Sequence, residues 1–371
     1  MRKLWKLPET QQSTLQRPKC CPRCGGLRMW RHSNLRRRVV DPKLQVVQVV
    51  RFRCADCRKQ VRVYPTGVVA QQQQSRRLQV LSALLYALGL IYDKASVVLE
   101  SLGCAVVKST IWENVQQLGK IALGRWRPAG RRPVLGVDET QVKVCGDGIT
   151  MGFVTDPGSG ELVGLEVLSS REASEMERWL AGLLEHFGCE VVVSDDLESY
   201  KSAVEALQRE HQVCLAHARK ALALRLKKIR GYELEKAVIR QALRDLTAQS
   251  KRDLKRQQRI FARARPPGKG QRQSAAYAMR MCLLDLLENW RRLTCYQRKN
   301  KGLDKLTRPV PREYAVPATN NATENSIGHA IKVRSKLMGG FKSATSAVHT
   351  TLLVACVGGV LAGLRFEQLI H

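Results

Sequence analysis

Apolar residues follow a different rhythm in successive parts of the chain. In 44–54, Leu-Gln-Val-Val-Gln-Val-Val-Arg-Phe-Arg-Cys, they approach the period of two that suits a half-buried strand. In 78–88, 96–103 and 108–119 they recur at helical spacing. Gly89, Gly103 and Gly119 close these segments, and Ser96 and Ser109 are placed to cap the second and third. Three short helices with a tight Gly-containing turn before the last predict a helix-turn-helix over 75–128. A small bundle that only packs or dimerises has the same periodicity.

From residue 131 the pattern turns to strands at 134–138, 149–155 and 161–168. A helix over 173–187, a strand over 190–195, a helix over 200–209 and a strand over 211–217 follow. Three consecutive strands and then alternating helix and strand predict an α/β sheet, a meander in its first half and crossover connections in its second. That order is the one of a ribonuclease-H-like core, assigned here to 131–371. Within it the chain becomes helical and basic, with a break at Pro266-Pro-Gly-Lys-Gly270, so a helical insertion is expected at about 218–315. The spacing of Leu283, Leu287 and Trp290 marks a core face there.

The first module, 1–68, adds metal chemistry to this picture. It holds Cys21-Pro-Arg-Cys24 and Cys54-Ala-Asp-Cys57, four of the twelve cysteines of the chain. A two-residue gap lets one tight turn present two thiolates to a tetrahedral Zn²⁺, and a segment this short needs such a staple. A structural zinc ribbon on Cys21, Cys24, Cys54 and Cys57 is expected, against redox dithiols as the alternative. Cys20 is a competing ligand beside Cys21.

Charge narrows the partner. The 371 residues carry 63 Lys and Arg against 32 Asp and Glu, a net charge of +31. Such a balance points to a polyanion, with nucleic acid, DNA or RNA, as the leading partner, and a helix-turn-helix would make that double-stranded DNA. In a helix-turn-helix the last helix enters the major groove, which would present Lys108, Ser109, Thr110, Glu113 and Asn114 to bases and phosphates. No apolar run reaches the length of a membrane span, and the N-terminus lacks the apolar stretch of a signal peptide, so a soluble cytoplasmic protein is expected.

Two carboxylates end buried-looking strands: Asp138 after Val-Leu-Gly-Val, and Asp195 after Val-Val-Val-Ser. If the strands are neighbours the two acids converge, and their repulsion calls for a cation. Mg²⁺, or Mn²⁺, suits them, and a pair of such ions serves an in-line phosphoryl displacement. Asp can also simply open a loop. Glu139 and Asp196 adjoin the two acids, and because neighbours on a strand face opposite sides, only one of each pair can join the site.

The segments Gly136-Val-Asp138-Glu-Thr, Val193-Ser-Asp195-Asp-Leu-Glu-Ser-Tyr200-Lys, Gln212-Val-Cys214-Leu-Ala-His217 and Thr319-Asn-Asn-Ala-Thr-Glu324-Asn-Ser-Ile resemble bacterial insertion-sequence transposases with an acidic triad, related to the Mutator-like group. The resemblance covers nearly the whole chain. It implies Glu324 as the third catalytic acid beside Asp138 and Asp195, and a helical insertion before it. It also matches Cys214 and His217 to a Cys-x-x-His element, whose plainer reading is a buried Cys and a satisfied His. Beyond Glu324, Lys332, Arg334, Lys336 and Lys342 are placed to grip phosphates. Relatives often carry a basic residue where this chain has Ile331, with Lys332 the nearest.

The resemblance implies a transposase that binds terminal inverted repeats, cuts there with Mg²⁺, and joins the freed 3′-hydroxyl to target DNA. At least a dimer is expected at paired ends, in a nucleoid-associated bacterial or archaeal protein. A regulator that binds without cutting and a structure-specific nuclease are the competing readings.

Overall fold

The alternating stretch at 44–54 becomes the middle strand of a three-stranded antiparallel sheet. Its members are β1 (Met29–Arg38), β2 (Val46–Cys54) and β3 (Gln60–Val63), in that order. β2 buries Val47 and Val49, then Val50, Phe52 and Cys54. Val49 and Val50 are successive, so the strand changes its buried face between them. It thereby feeds two apolar clusters, one with Val39 and Val68, the other with Cys21 and Met29. The computed structural model describes residues 5–10, 15–301, 315–327 and 340–370. Two compact units divide it, one of 1–127 with 333–371 and the other of 128–332.

In the first unit the helices α1 (Arg76–Ala87), α2 (Tyr92–Ser101) and α3 (Lys108–Arg125) follow the sheet. Ser75 caps α1, its side chain accepting from Leu78 N. Buried Asp41 joins this cap to the sheet: it accepts from Ser75 Oγ at 2.5 Å and from Lys43 N and Leu44 N, and it pairs with Arg77 at 2.9 Å. With Thr10 Oγ1 at 3.4 Å, five donors satisfy a carboxylate that would otherwise be costly to bury.

Two cap expectations fail here. α2 starts at Tyr92, so Ser96 is inside it, and its hydroxyl bonds Val106 O at the approach to α3. Ser109 is likewise within α3, whose N-cap is Val107. Gly119 does not end α3. A Cβ at that position would overlap the backbone of His349, so the glycine lets another helix, α13 (Ala344–Gly358), lie close against α3. The structure thus places α13, which the sequence boundary assigned to the catalytic core, in the unit of α3.

The second unit is built on a five-stranded sheet in the order β6-β5-β4-β7-β8. β4 (Val134–Val144), β5 (Asp147–Thr155) and β6 (Leu162–Leu168) form an antiparallel meander. α4 (Ala173–His186) then crosses to β7 (Val191–Ser194), parallel to β4, and α5 (Glu198–Ala206) crosses to β8 (Glu210–Val213), parallel to β7. The mixed α/β sheet expected from the pattern is therefore present. The parallel strands β7 and β8 are buried on both faces, as parallel strands flanked by helices are.

β8 ends four residues before the sequence pattern suggested. Cys214 N bonds Ser194 O, Leu215 N bonds Ala318 O, and α6 (Leu215–Lys228) begins. The helical stretch continues through α7 (Glu233–Asp245), α8 (Ala248–Ile260) and α9 (Ala275–Glu288), around a core that includes Leu226, Ile239, Leu254, Leu283 and Trp290. The Pro266-Pro267 break falls between α8 and α9. Short helices α10 (Trp290–Leu293) and α11 (Cys295–Asn300) follow, then α12 (Asn321–Ile327).

Candidate active site

Parallel pairing of β4 with β7 sets Gly136 opposite Val193. Two residues on from each partner, on the same side of the pleat, come Asp138 and Asp195. Both are half-buried. Burial, then the charge of Glu139 and that of Asp138, push Asp195 up to about 6, while a bond from Leu197 N opposes the rise. The sheet therefore brings the two acids near one another, although β4 does not end at Asp138 as the apolar run suggested but continues to Val144, paired with β5.

Their neighbours are occupied differently. Glu139 is buried and held by Arg171 and by the Tyr200 hydroxyl. Asp196 pairs at 2.8 Å with Lys201, itself buried. Burial also raises the Tyr200 phenol well above its ordinary value, with the Glu139 charge adding to it. Behind Asp195, Ser194 Oγ donates to Asp195 O and contacts His211 Nε2 at 2.7 Å. Burial lowers His211 to about 3, so this imidazole is neutral at ordinary pH.

Gly136 is the residue that sequence reasoning passed over. A side chain there would overlap Thr323 Oγ1 and crowd Asn320 Oδ1. Thr323 Oγ1 lies 2.6 Å from Thr155 Oγ1 on β5, Asn320 Nδ2 donates to Val137 O at 2.8 Å, and Ser326 Oγ donates to Gly160 O. These contacts dock α12 on the strand that carries Asp138. The one available signal was Gly136 itself, a small residue within an apolar strand.

Glu324 follows Thr323 on this docked helix and is half-buried. Its Oε1 lies 3.4 Å from His217 Nδ1. His217 is in the first turn of α6, not on a strand, and Cys214 is fully buried at the N-cap, its sulfur accepting from Asn320 N at 3.2 Å. Among the described residues, the acidic and thiol groups that gather in threes or more within 4.8 Å are the Cys214, His217 and Glu324 set and the four ribbon cysteines. The carboxylates of Asp138, Asp195 and Glu324 do not form such a set.

In the first unit Cys21 Sγ and Cys57 Sγ are 3.5 Å apart, and Cys24 Sγ and Cys54 Sγ 3.6 Å. Four sulfurs at about 2.3 Å from a tetrahedral Zn²⁺ have edges of about 3.8 Å, so the thiols fit that ion with small adjustment. Backbone N–H groups of Cys24 and Arg23 lower the Cys21 thiol to about 6. Cys20 is exposed and outside the set.

At the start of α3, Ser109 is exposed, Thr110 partly so, and Lys108 is exposed beside Asp93 at 3.4 Å. Asn114 is different: it is buried, donating to Gln74 Oε1 and Ser82 Oγ, and its side chain is not presented to a ligand. It turns inward because the Ile111, Asn114, Val115, Leu118 face of α3 is the buried one. Lys342 is exposed, its ammonium 4.5 Å from the Trp112 ring centre. Lys332, Arg334 and Lys336 lie outside the described residues. No described helix is long and apolar enough to cross a membrane.

A mixed sheet carrying two neighbouring acids, in a chain with so large a basic excess, suits a polyanionic partner, and comparison with known families supplies the class. The model of the IS66 transposase family matches residues 77–349, and the chain belongs to that family. The Mutator-like affiliation suggested by the short motifs is thereby replaced. Those motifs are short and lie in β4, at the ends of β7 and β8 and at the start of α12, whereas the family match extends through the helical stretch as well. Among solved structures, the catalytic core domain of BIV integrase is similar over 42% of this chain and 83% of that one, with 12% identity and a TM-score of 0.20. Comparison with curated proteins gives no match.

Proposed function

We propose that this chain is an acidic-triad DNA transposase, binding the terminal repeats of its element through the zinc ribbon and a helix-turn-helix of α1–α3. Its second unit is then a ribonuclease-H-like core that cuts and joins strands with Asp138, Asp195 and Glu324. The observation carrying this reading is the register of β4 and β7, which sets Gly136 opposite Val193 and so leads Asp138 and Asp195, two residues on, toward the same end of the sheet, in a member of a transposase family. The strand order of the sheet supports it.

The donor set fits hard divalent cations. Asp195 is raised by burial and by its acidic neighbours, a repulsion that Mg²⁺ or Mn²⁺ relieves. Asp138, Asp195 and Glu324 would hold such ions, which supply the positive charge that stabilises an in-line phosphoryl displacement. Arg171 and Tyr200 hold Glu139, and Lys201 holds Asp196, so each of these neighbouring acids has partners of its own. Asn320 and Thr323 position the helix of Glu324 on β4.

Purified Asp138→Asn protein, incubated with end-repeat DNA and Mg²⁺, should lose strand cleavage by at least about a thousandfold while keeping repeat binding within about threefold. Full cleavage by the variant would remove Asp138 from the site. Repeat binding by the parent protein without any nicking would favour the binding-only regulator, and cutting of branched DNA regardless of repeat sequence the nuclease.

A further inference from the structure

We propose that Cys214, His217 and Glu324 form a second zinc site, distinct from the four-thiolate ribbon. Their ligand atoms, a thiol sulfur, an imidazole nitrogen and a carboxylate oxygen, lie within 4.8 Å of one another. This mixture is too soft for Mg²⁺ and suits Zn²⁺.

The geometry is specific. Zn–N and Zn–O bonds of about 2.0–2.1 Å on a tetrahedral ion set the nitrogen and oxygen about 3.3–3.4 Å apart. His217 Nδ1 and Glu324 Oε1 are 3.4 Å apart. Both atoms are screened from solvent and neither has a hydrogen-bond partner. Two polar atoms left so, 3.4 Å apart without forming a hydrogen bond, carry a desolvation cost that a shared cation removes. The sulfur completes the face, oriented by the N–H of Asn320 at 3.2 Å.

The local chain explains how the set is assembled. The early end of β8 puts Cys214 at the N-cap of α6, and the two-residue gap brings His217 to the first turn. Leu215 N bonds Ala318 O and Asn320 N reaches the Cys214 sulfur, so the segment leading into α12 is fastened beside the same turn. Glu324 then enters from α12. Three protein ligands leave a fourth position for water or a phosphate oxygen. Zinc here would take one oxygen of Glu324, and the other would remain for the divalent ions of the proposed acidic triad. The proposal stands on metal content alone, and the loss of DNA cleavage by another cause does not affect it.

Full-length protein is stripped with a chelator, reloaded with Zn²⁺, passed over a desalting column and assayed for zinc by mass spectrometry. The expected content is two ions per chain, falling to one in Cys214→Ser and in His217→Ala. Loading with Co²⁺ provides a second measurement that keeps the ribbon as an internal reference. Cys214→Ser should lose about one fifth of the sulfur-to-cobalt absorption, since one of five thiolates is removed, and His217→Ala should change the visible bands while circular dichroism stays that of the parent. One zinc per chain in the parent, or two that persist in both variants, overturns the proposal. So does a His217→Ala spectrum identical to the parent's, which leaves His217 and Glu324 as an ion pair only.

Discussion

Burial and the charges of Glu139 and Asp138 hold Asp195 at about 6, against an ordinary 3.8. The folded state therefore binds this proton more tightly than the unfolded chain, and ionisation costs stability. That cost is absent below about pH 4, grows between the two values and is complete above pH 6. A two-unit shift corresponds to about 3 kcal/mol, reduced to about 1–2 kcal/mol for a side chain partly open to solvent. Asp195→Asn should accordingly raise the melting temperature by about 2–6 °C at pH 7.5 in Mg²⁺-free buffer, and leave it unchanged near pH 4. Differential scanning calorimetry at the two pH values checks this; a variant no more stable than the parent at pH 7.5 contradicts the assigned burial. Asp138 and Asp195 were legible because an apolar run stopping at a carboxylate is a local pattern. The roles of Arg171, Tyr200 and Thr323 were not, since each depends on a partner distant in sequence.

Helix α3 shows at the scale of an element what periodicity cannot convey. Its apolar spacing was visible, but Gly119 looked like a terminator because a glycine that ends a helix and one that admits a neighbouring backbone are the same letter. Gly119→Ala should force α3 and α13 apart and destabilise the first unit by about 1–3 kcal/mol, from overpacking against backbone that has no rotamer to yield. Chemical denaturation followed by Trp112 and Trp126 fluorescence, both in α3 or at its C-cap, reads this out. An unchanged midpoint would show that α13 does not press on α3. The strand-to-helix change at Cys214 was hidden for a similar reason: a short apolar run satisfies either period, and here hydrogen bonds to Ser194 and Ala318 decide it. The strands of the meander, longer and set apart by turn residues, were readable as such.

The excess of 63 cationic over 32 anionic residues belongs to the molecule as a whole. If it meets DNA phosphates, affinity for a duplex should fall steeply with salt, by about 10³–10⁵ between 50 and 200 mM for six to ten phosphate contacts. Fluorescence anisotropy on labelled end-repeat DNA measures this, and a fall of less than tenfold would mean that most of the charge faces solvent. The sequence order of modules was readable up to the last segment, where the chain leaves the sheet and returns to the helices near its start.

That return has a consequence for how the protein is made. Residues 128–332 leave the ribosome with their partners already synthesised, whereas the groove at Gly119 waits for His349 and the rest of α13. The nascent chain thus completes the unit of the five-stranded sheet before α3 acquires the wall that α13 supplies. A ribosome stalled after residue 332 displays a chain with every strand of both sheets in place and α3 still bare along one side.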